Sequence, residues 1–184
     1  MFERKITINY NGLVDTKFEE DIQKLEFVNK SPNKDPYYEH QGDSGFDLRA
    51  WITADEQGAK LDKKTNEVSI TLKPLERRMI HTGLYFKLPK YTEMQIRPRS
   101  GFAIKEGLSL INAVATIDSN FRGEVCILAV NLSNKNIVIN SGERIAQGIL
   151  CPVYNSYLVN LTNVENISED TDRGANGYGS SGKN

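Results

Sequence analysis

From Val68 onward the chain is a succession of short apolar-rich runs, each cut off by Gly, Pro, Asn or Asp. Runs of this length suit strands and are short for helices. Val68 to Leu72, Arg78 to Leu88, Glu93 to Arg97, Glu124 to Leu132, Ile137 to Ile139 and Arg144 to Val153 are predicted strands. Val125 to Val130 is apolar on both faces, the pattern of a strand with packing above and below it. Nearer the N-terminus, Lys5 to Tyr10 reads as a strand. Phe18, Ile22 and Leu25 fit one or two helical turns, but Leu25 to Val28 fits an extended segment equally. Ser31 to Asp43 is polar, holds Pro32 and Pro36, and reads as a loop. Asp55 to Asn66 reads as an exposed hairpin excursion, and Ser100 to Lys105 as a short helix. Many short strands with little helix predict an all-β fold, a jelly-roll-like β-sandwich.

With 184 residues the chain suits one domain, expected over 1–167, with 1–41 as an N-terminal extension. The tail 168–184 differs in kind. Its glycines (Gly174, Gly177, Gly179, Gly182) and serines leave Tyr178 almost alone as an apolar residue, so it reads as a mobile arm. A formal net charge of −1 gives no basic field for nucleic acid or an anionic membrane, so any nucleotide must be held by a local site. The first ten residues lack a signal-like apolar core, and no run approaches the roughly 20 apolar residues of a membrane span. Cys126 and Cys151 lie in apolar stretches and form no zinc spacing with His40 and His81. They read as buried thiols of a soluble cytoplasmic protein.

Four polar clusters interrupt the β pattern. In Ser44-Gly45-Phe46-Asp47-Leu48-Arg49-Ala50, strand alternation sets Asp47 opposite to Phe46 and Leu48. In Arg97-Pro98-Arg99-Ser100-Gly101-Phe102-Ala103, Pro98 ends the strand and Ser100 is placed to cap the short helix. Free N–H groups, a hydroxyl and an arginine together suit a phosphate. The third cluster runs from Asn112 through Asp118-Ser119-Asn120-Phe121 to Arg122-Gly123-Glu124. It combines a turn, a carboxylate and an aromatic face, which suits a base beside a nucleobase pocket. In the fourth, Gly142-Glu143-Arg144-Ile145-Ala146-Gln147, Arg144 and Gln147 face opposite sides of an ideal strand. A bulge or twist is needed for both to reach one ligand. Gly177 to Lys183 nearly matches a Walker A loop, but Asn184 stands where Ser or Thr is required, which excludes a P-loop ATPase.

In order and spacing these clusters, with the tail from Arg173-Gly174 to Gly182, resemble the five motifs of the homotrimeric deoxyuridine triphosphatase (dUTPase) family. The likeness covers roughly Gly42 to the C-terminus. It implies hydrolysis of dUTP to dUMP and pyrophosphate, which lowers dUTP and supplies dUMP for thymidylate synthesis. By this likeness Asp118 activates the water that attacks the α-phosphorus, and Asp47 organises the water and metal surroundings and the arginine network. Asn112 and its hairpin backbone read the uracil edge, and Phe121 packs on the deoxyribose. Arg99, Ser100 and Gly101 contact the phosphates, assisted by Gln147. Arg173 pairs with the γ-phosphate, and Tyr178 stacks on uracil with Gly179 and Ser180 beside it as the arm closes. Mg²⁺ is implied as cofactor, held chiefly by the triphosphate and waters. A homotrimer with shared active sites is implied as the assembly.

The chain departs from the family pattern at a few positions. Phe121 replaces a tyrosine, Ala115 a glycine of the uracil hairpin, Thr116 an apolar residue and Tyr178 a phenylalanine. The methyl of Ala115 is expected to shift the hairpin or narrow the uracil pocket. Two other readings follow: a non-catalytic nucleotide-binding regulator, motivated by Ala115 and Thr116, and a dCTP deaminase, which needs a further catalytic glutamate.

Overall fold

Apolar residues that alternate along a chain bury themselves only when strands pair and two sheets close face to face. The structure is a computed structural model that describes residues 24–168 and 171–176. The expected strand Lys5 to Tyr10, the turns at Phe18 and Ile22, and Tyr178, Gly179 and Ser180 lie outside the described residues. The strands are β1 (Glu26–Asn29), β2 (Gly45–Arg49), β3 (Lys60–Leu61), β4 (Val68–Leu72), β5 (Arg77–Ile80), β6 (Leu84–Lys87) and β7 (Thr92–Pro98). Among the described residues a single short helix, α1 (Ser100–Glu106), precedes β8 (Leu108–Leu110), β9 (Ala115–Asp118), β10 (Ile127–Asn131), β11 (Ile137–Asn140) and β12 (Arg144–Pro152).

Hydrogen bonding joins the strands in the orders β2-β12-β7-β9, β5-β10-β8, β11-β4-β3 and β1-β6, with every pair antiparallel. Their inward faces share one core that includes Phe46, Leu48, Ile70, Leu72, Ile80, Met94, Ile96, Ile127, Ile139 and Ile145. Burying each such side chain is worth about 1.5–3 kcal/mol, so this core is what holds the sheets together. The all-β sandwich is as expected. Beyond it, no helix among the described residues is long and apolar enough to cross a membrane.

Most strand boundaries follow the apolar pattern within a residue or two. Glu26–Asn29 is extended rather than helical, and pairs with β6. The excursion at 55–66 is exposed, and its two-residue strand β3 pairs with β4. Pattern reading misses β3, β8 and β9, all of four residues or fewer. Cys126 and Cys151 are free but only half-buried, contrary to expectation, because each stands on the less covered side of its run.

The predicted run Arg78 to Leu88 divides into β5 and β6, and its interruption has a clear cause. Gly83 has φ +71°, and a Cβ there would lie 2.7 Å from the Ser31 Cβ and backbone nitrogen and 2.9 Å from the Trp51 ring. Neither the backbone conformation nor the space admits a larger residue. Glu124 fastens this turn. Its Oε1 accepts hydrogen bonds from the N–H groups of Thr82 (3.1 Å) and Gly83 (2.8 Å), and its Oε2 lies 2.9 Å from His81 Nδ1. Glu124 thereby joins Tyr85 only through an isolated bridge, which is why β10 begins at Ile127 and not at Glu124.

Burial of Glu124 opposes its charged form. Hydrogen bonds from His81, Gly83 and Thr82 outweigh that effect and hold its pKa below the ordinary 4.5. A carboxyl with a depressed folded-state pKa contributes stability that is fully present above its unfolded pKa and lost as pH falls through the folded value. Glu124→Gln is therefore expected to cost about 1–3 kcal/mol at neutral pH. It should also flatten the fall in stability below pH 4.5. Urea denaturation across that range measures both; an acid limb as steep as in the unsubstituted protein would contradict the assignment.

Candidate active site

The central strand β12 and its neighbours bring five of the twelve expected site residues together: Asp47, Arg99, Ser100, Gly101 and Gln147. It pairs with β2 on one side and β7 on the other, so that Gln147 stands opposite both Asp47 and Arg97, and Ala146 opposite Pro98. A register shift between Arg144 and Ala146 supplies the bulge that the spacing of Arg144 and Gln147 requires, and both side chains line one cleft. Close approach of β2 also depends on Gly45, where a Cβ would come within 2.9 Å of the Ile149 side chain and 3.2 Å of Gln147 Oε1.

Strand alternation buries Phe46 and Leu48 and turns Asp47 toward the cleft, as predicted. There Asp47 bridges two guanidinium groups. Its Oδ1 lies 2.8 Å from Arg99 Nε, and its Oδ2 lies 3.0 Å from Arg144 Nη1. Arg99 Nη1 also donates to the Arg144 carbonyl (3.2 Å), while Gln147 Nε2 donates to the Pro98 carbonyl (3.0 Å). The remaining N–H groups of both guanidiniums are left for a ligand.

Ser100 is the first residue of α1 and does not cap it. The cap position is Arg99, in extended conformation, without a side-chain capping bond. Pro98 carries the chain one residue further before it turns, so the Ser100 hydroxyl is not engaged as a cap. The first backbone bonds of the turn run from Phe102 and Ala103 to the Arg99 carbonyl, and the N–H groups of Ser100 and Gly101 precede them. A Cβ on Gly101 would meet nothing within 4 Å, so no packing contact in this chain requires glycine there.

The cleft is open, with a volume of about 1000 Å³. Tyr37, Glu39 and His40 also line it. They come from a loop to which the sequence reading gave no role, although it lies just upstream of Gly45-Phe46-Asp47. A hydrogen bond from Tyr37, aided by the nearby His40, Arg144 and Lys34, holds the exposed Glu39 carboxyl below its usual range. The lining carries five carboxylates (Glu39, Asp43, Asp47, Glu106, Glu143) against three fixed cations (Arg99, Lys105, Arg144).

Asp118, Asn112 and Phe121 lie elsewhere on the chain and do not line this cleft. β9 pairs with the opposite edge of β7 from β12, and Asp118 stands opposite Glu93. Arg99 is six residues further along from Glu93, so roughly 20 Å of strand separates it from Asp118. Asn112, Asp118 and Phe121 are exposed, in company with the exposed Ile111 and Val114. The turn after Asp118 is firmly built. Arg122 Nη1 donates to the carbonyls of Ser119 (2.8 Å) and Phe121 (2.7 Å), and Ser119 Oγ donates to the Lys90 carbonyl. The Phe121 ring lies over Gly123, where a Cβ would come within 2.5 Å of it. Ala115 directs its methyl into the core opposite Ile96, so it does not narrow the face that carries Asn112. Arg173 sits in an exposed turn outside the cleft, its Nε donating to the Asn176 carbonyl.

These features can be set beside known proteins. The family model for dUTPase matches residues 31–182. A deoxyuridine 5′-triphosphate nucleotidohydrolase of Finegoldia magna is 45% identical over 159 residues, covering 86% of this chain and 99% of that protein. One of the same name from Cytophaga hutchinsonii is 43% identical, covering 86% and 92%. Among solved structures, the Staphylococcus bacteriophage 80alpha dUTPase with dUPNHPP superposes with a TM-score of 0.69 at 23% identity, covering 88% of this chain and all of that one. The fold is thus the dUTPase fold, and by the family match and the identity to its curated members the chain belongs to the dUTPase family.

Proposed function

We propose that this protein is a dUTP diphosphatase, which hydrolyses dUTP to dUMP and pyrophosphate at a site shared between copies of the chain. The observation that carries this reading is the bridge of Asp47 between Arg99 and Arg144. It fixes two guanidiniums beside the first turn of α1, within one cleft, in a chain of this family.

The phosphates lie against Arg99, Ser100 and Gly101, with Gln147 assisting. Guanidinium and backbone N–H groups there offset the charge that grows in the transition state. Asp118 accepts a proton from a water whose oxygen forms a bond to the α-phosphorus. The bond from that phosphorus to the bridging oxygen breaks, and pyrophosphate departs. Asn112 reads the uracil edge and Phe121 packs on the sugar. The arm, 168–184, brings Arg173 to the γ-phosphate and Tyr178, Gly179 and Ser180 to the base, excluding water as it closes.

Mg²⁺ fits this cleft, because five carboxylates outnumber the three cations and a bare triphosphate is poorly matched to such a lining. Bound with the triphosphate, the ion would supply charge neutralisation on the phosphate oxygens, and Asp47 is the residue that would help to hold its waters. A trimer is supported by the separation of Asp118 from Arg99 and by the exposed apolar residues beside Asn112. Both call for a second copy to complete the site. Free thiols agree with a reducing, cytoplasmic location.

The other readings are not favoured. The methyl of Ala115 lies in the core, so it gives no reason for a non-catalytic binder. Glu124 is committed to His81 and the Thr82–Gly83 backbone, so it is not available as a deaminase glutamate.

Incubation with dUTP, dCTP, dTTP and UTP in parallel, with Mg²⁺, is expected to release pyrophosphate selectively from dUTP. Loss of the base in Asp118→Asn should lower kcat by about 10²–10⁴-fold. Absence of dUMP in the product analysis would overturn the activity. Sharing of the site is checked by mixing. Asp118→Asn and Arg99→Ala proteins, each inactive alone, should recover about a quarter of wild-type activity after co-refolding, the share of interfaces with both residues intact. No recovery would place both residues in a site within one copy. Gly101→Ala separates fold from function, since a helical Gly→Ala change stabilises by about 0.4–1 kcal/mol where the backbone permits. Thermal denaturation should record that gain while the KM for dUTP rises.

A further inference from the structure

Apart from the cleft, three side chains of metal-ligating type converge at the β5–β6 turn. His81 Nδ1 lies 2.9 Å from Glu124 Oε2 and 3.7 Å from Cys126 Sγ, and the three ligating atoms all fall within 4.8 Å of one another. None of the three lines the cleft. We propose that His81, Glu124 and Cys126 form a binding site for a zinc-type divalent transition metal, with the fourth position open to water.

Ligands at tetrahedral zinc bond lengths stand about 3.3–3.6 Å apart, within a few tenths of an ångström of the two distances from Nδ1. The carboxylate is already oriented for the task. Two backbone N–H groups hold Oε1, leaving Oε2 directed at the imidazole, which is the outer-shell arrangement that fixes a metal-binding carboxylate. Gly83 and Thr82 supply those N–H groups from a turn whose backbone tolerates no other residue at Gly83. Partial exposure of the His81 side chain (40%) gives an ion a way in. On binding, the Nδ1 lone pair, Oε2 and the thiolate of Cys126 form the bonds, while the Sγ–H proton and any Nδ1 proton pass to solvent. The imidazole then carries its remaining proton on Nε2.

The donor set decides the kind of ion. One sulfur, one imidazole nitrogen and one carboxylate oxygen suit Zn²⁺ or Co²⁺. They do not suit Mg²⁺, which prefers an octahedron of oxygens. The site is therefore separate from the Mg²⁺ of catalysis in both place and chemistry. Its consequence is structural: an ion here ties the β5–β6 turn to the segment entering β10.

The full-length protein, stripped with chelator, is titrated with Co²⁺ alone and then with Zn²⁺ in competition. Binding of a single equivalent per chain is expected, with an intense near-ultraviolet thiolate-to-cobalt band that Zn²⁺ removes and excess Mg²⁺ does not. Cys126→Ser should abolish the band. Cys126→Ser and His81→Gln should each weaken Zn²⁺ by at least about tenfold. Zn²⁺ should raise Tm in the wild type and not in Cys126→Ser, while Mg²⁺-dependent hydrolysis of dUTP is the same in both. His81→Gln keeps a donor for Glu124, so a normal circular dichroism spectrum is expected and loss of binding reports on the ligand. Absence of the thiolate band in the wild type, or equal Zn²⁺ affinity in the variants, would overturn the site.

Discussion

The bridge of Asp47 between Arg99 and Arg144 organises the cleft because each partner arrives from a different segment of the chain. Asp47 comes from β2, Arg144 from the start of β12, and Arg99 from the α1 cap position just past the end of β7. Partly exposed ion pairs of this kind contribute only about 0–1 kcal/mol each to stability. Their importance is geometric. A guanidinium is a rigid fork, and engaging one edge with a carboxylate fixes the direction in which its other donors point. Removal of the aspartate would leave two like charges side by side with no common anchor, though the strands beneath would still pair.

That geometry depends in turn on the β-bulge in β12. Without the register shift after Arg144, strand alternation would send Arg144 and Gln147 to opposite faces. With it, the same strand gives an arginine to Asp47 and an amide to the Pro98 carbonyl, and still pairs with both neighbours over most of its length. Ile145 and Ala146 remain buried through the irregularity, so the core holds the bulge in place from below.

Much of this was legible in the sequence, and the failures have physical reasons. Asp47 could be placed on the cleft face because Phe46 and Leu48 claim the core by simple alternation. A bulge could be anticipated at Arg144 to Gln147 from the three-residue spacing alone. The split of the 78–88 run was missed because His81, Thr82 and Gly83 sit in an otherwise strand-like pattern. The close approach of Ser31 and Trp51 that requires glycine is long-range information. Ser100 does not take the cap position its sequence context suggests, because Pro98 followed by Arg99 moves the turn by one residue. Ala115 was read as crowding the uracil hairpin, since a lone added methyl carries no sign of which way it faces; its place opposite Ile96 turns it inward. The convergence of His81, Glu124 and Cys126 was invisible, because a spacing of more than forty residues encodes no contact.

The charges of the cleft bear on what it accepts. A cleft rich in arginine alone would hold any polyphosphate, including inorganic ones, and would lose selectivity for a nucleotide. Here the fixed carboxylates outnumber the fixed cations, a balance that disfavours a bare polyanion within one chain. Under the proposed function, help comes from a divalent ion carried by the triphosphate, from Arg173, and from the face bearing Asn112. Each is tied to a different property of the substrate: its bound metal, its terminal phosphate and its base. A ligand lacking any one of them forfeits part of the compensation for those carboxylates. Under that proposal the acidic lining makes binding depend on the whole nucleotide and not on its phosphates alone.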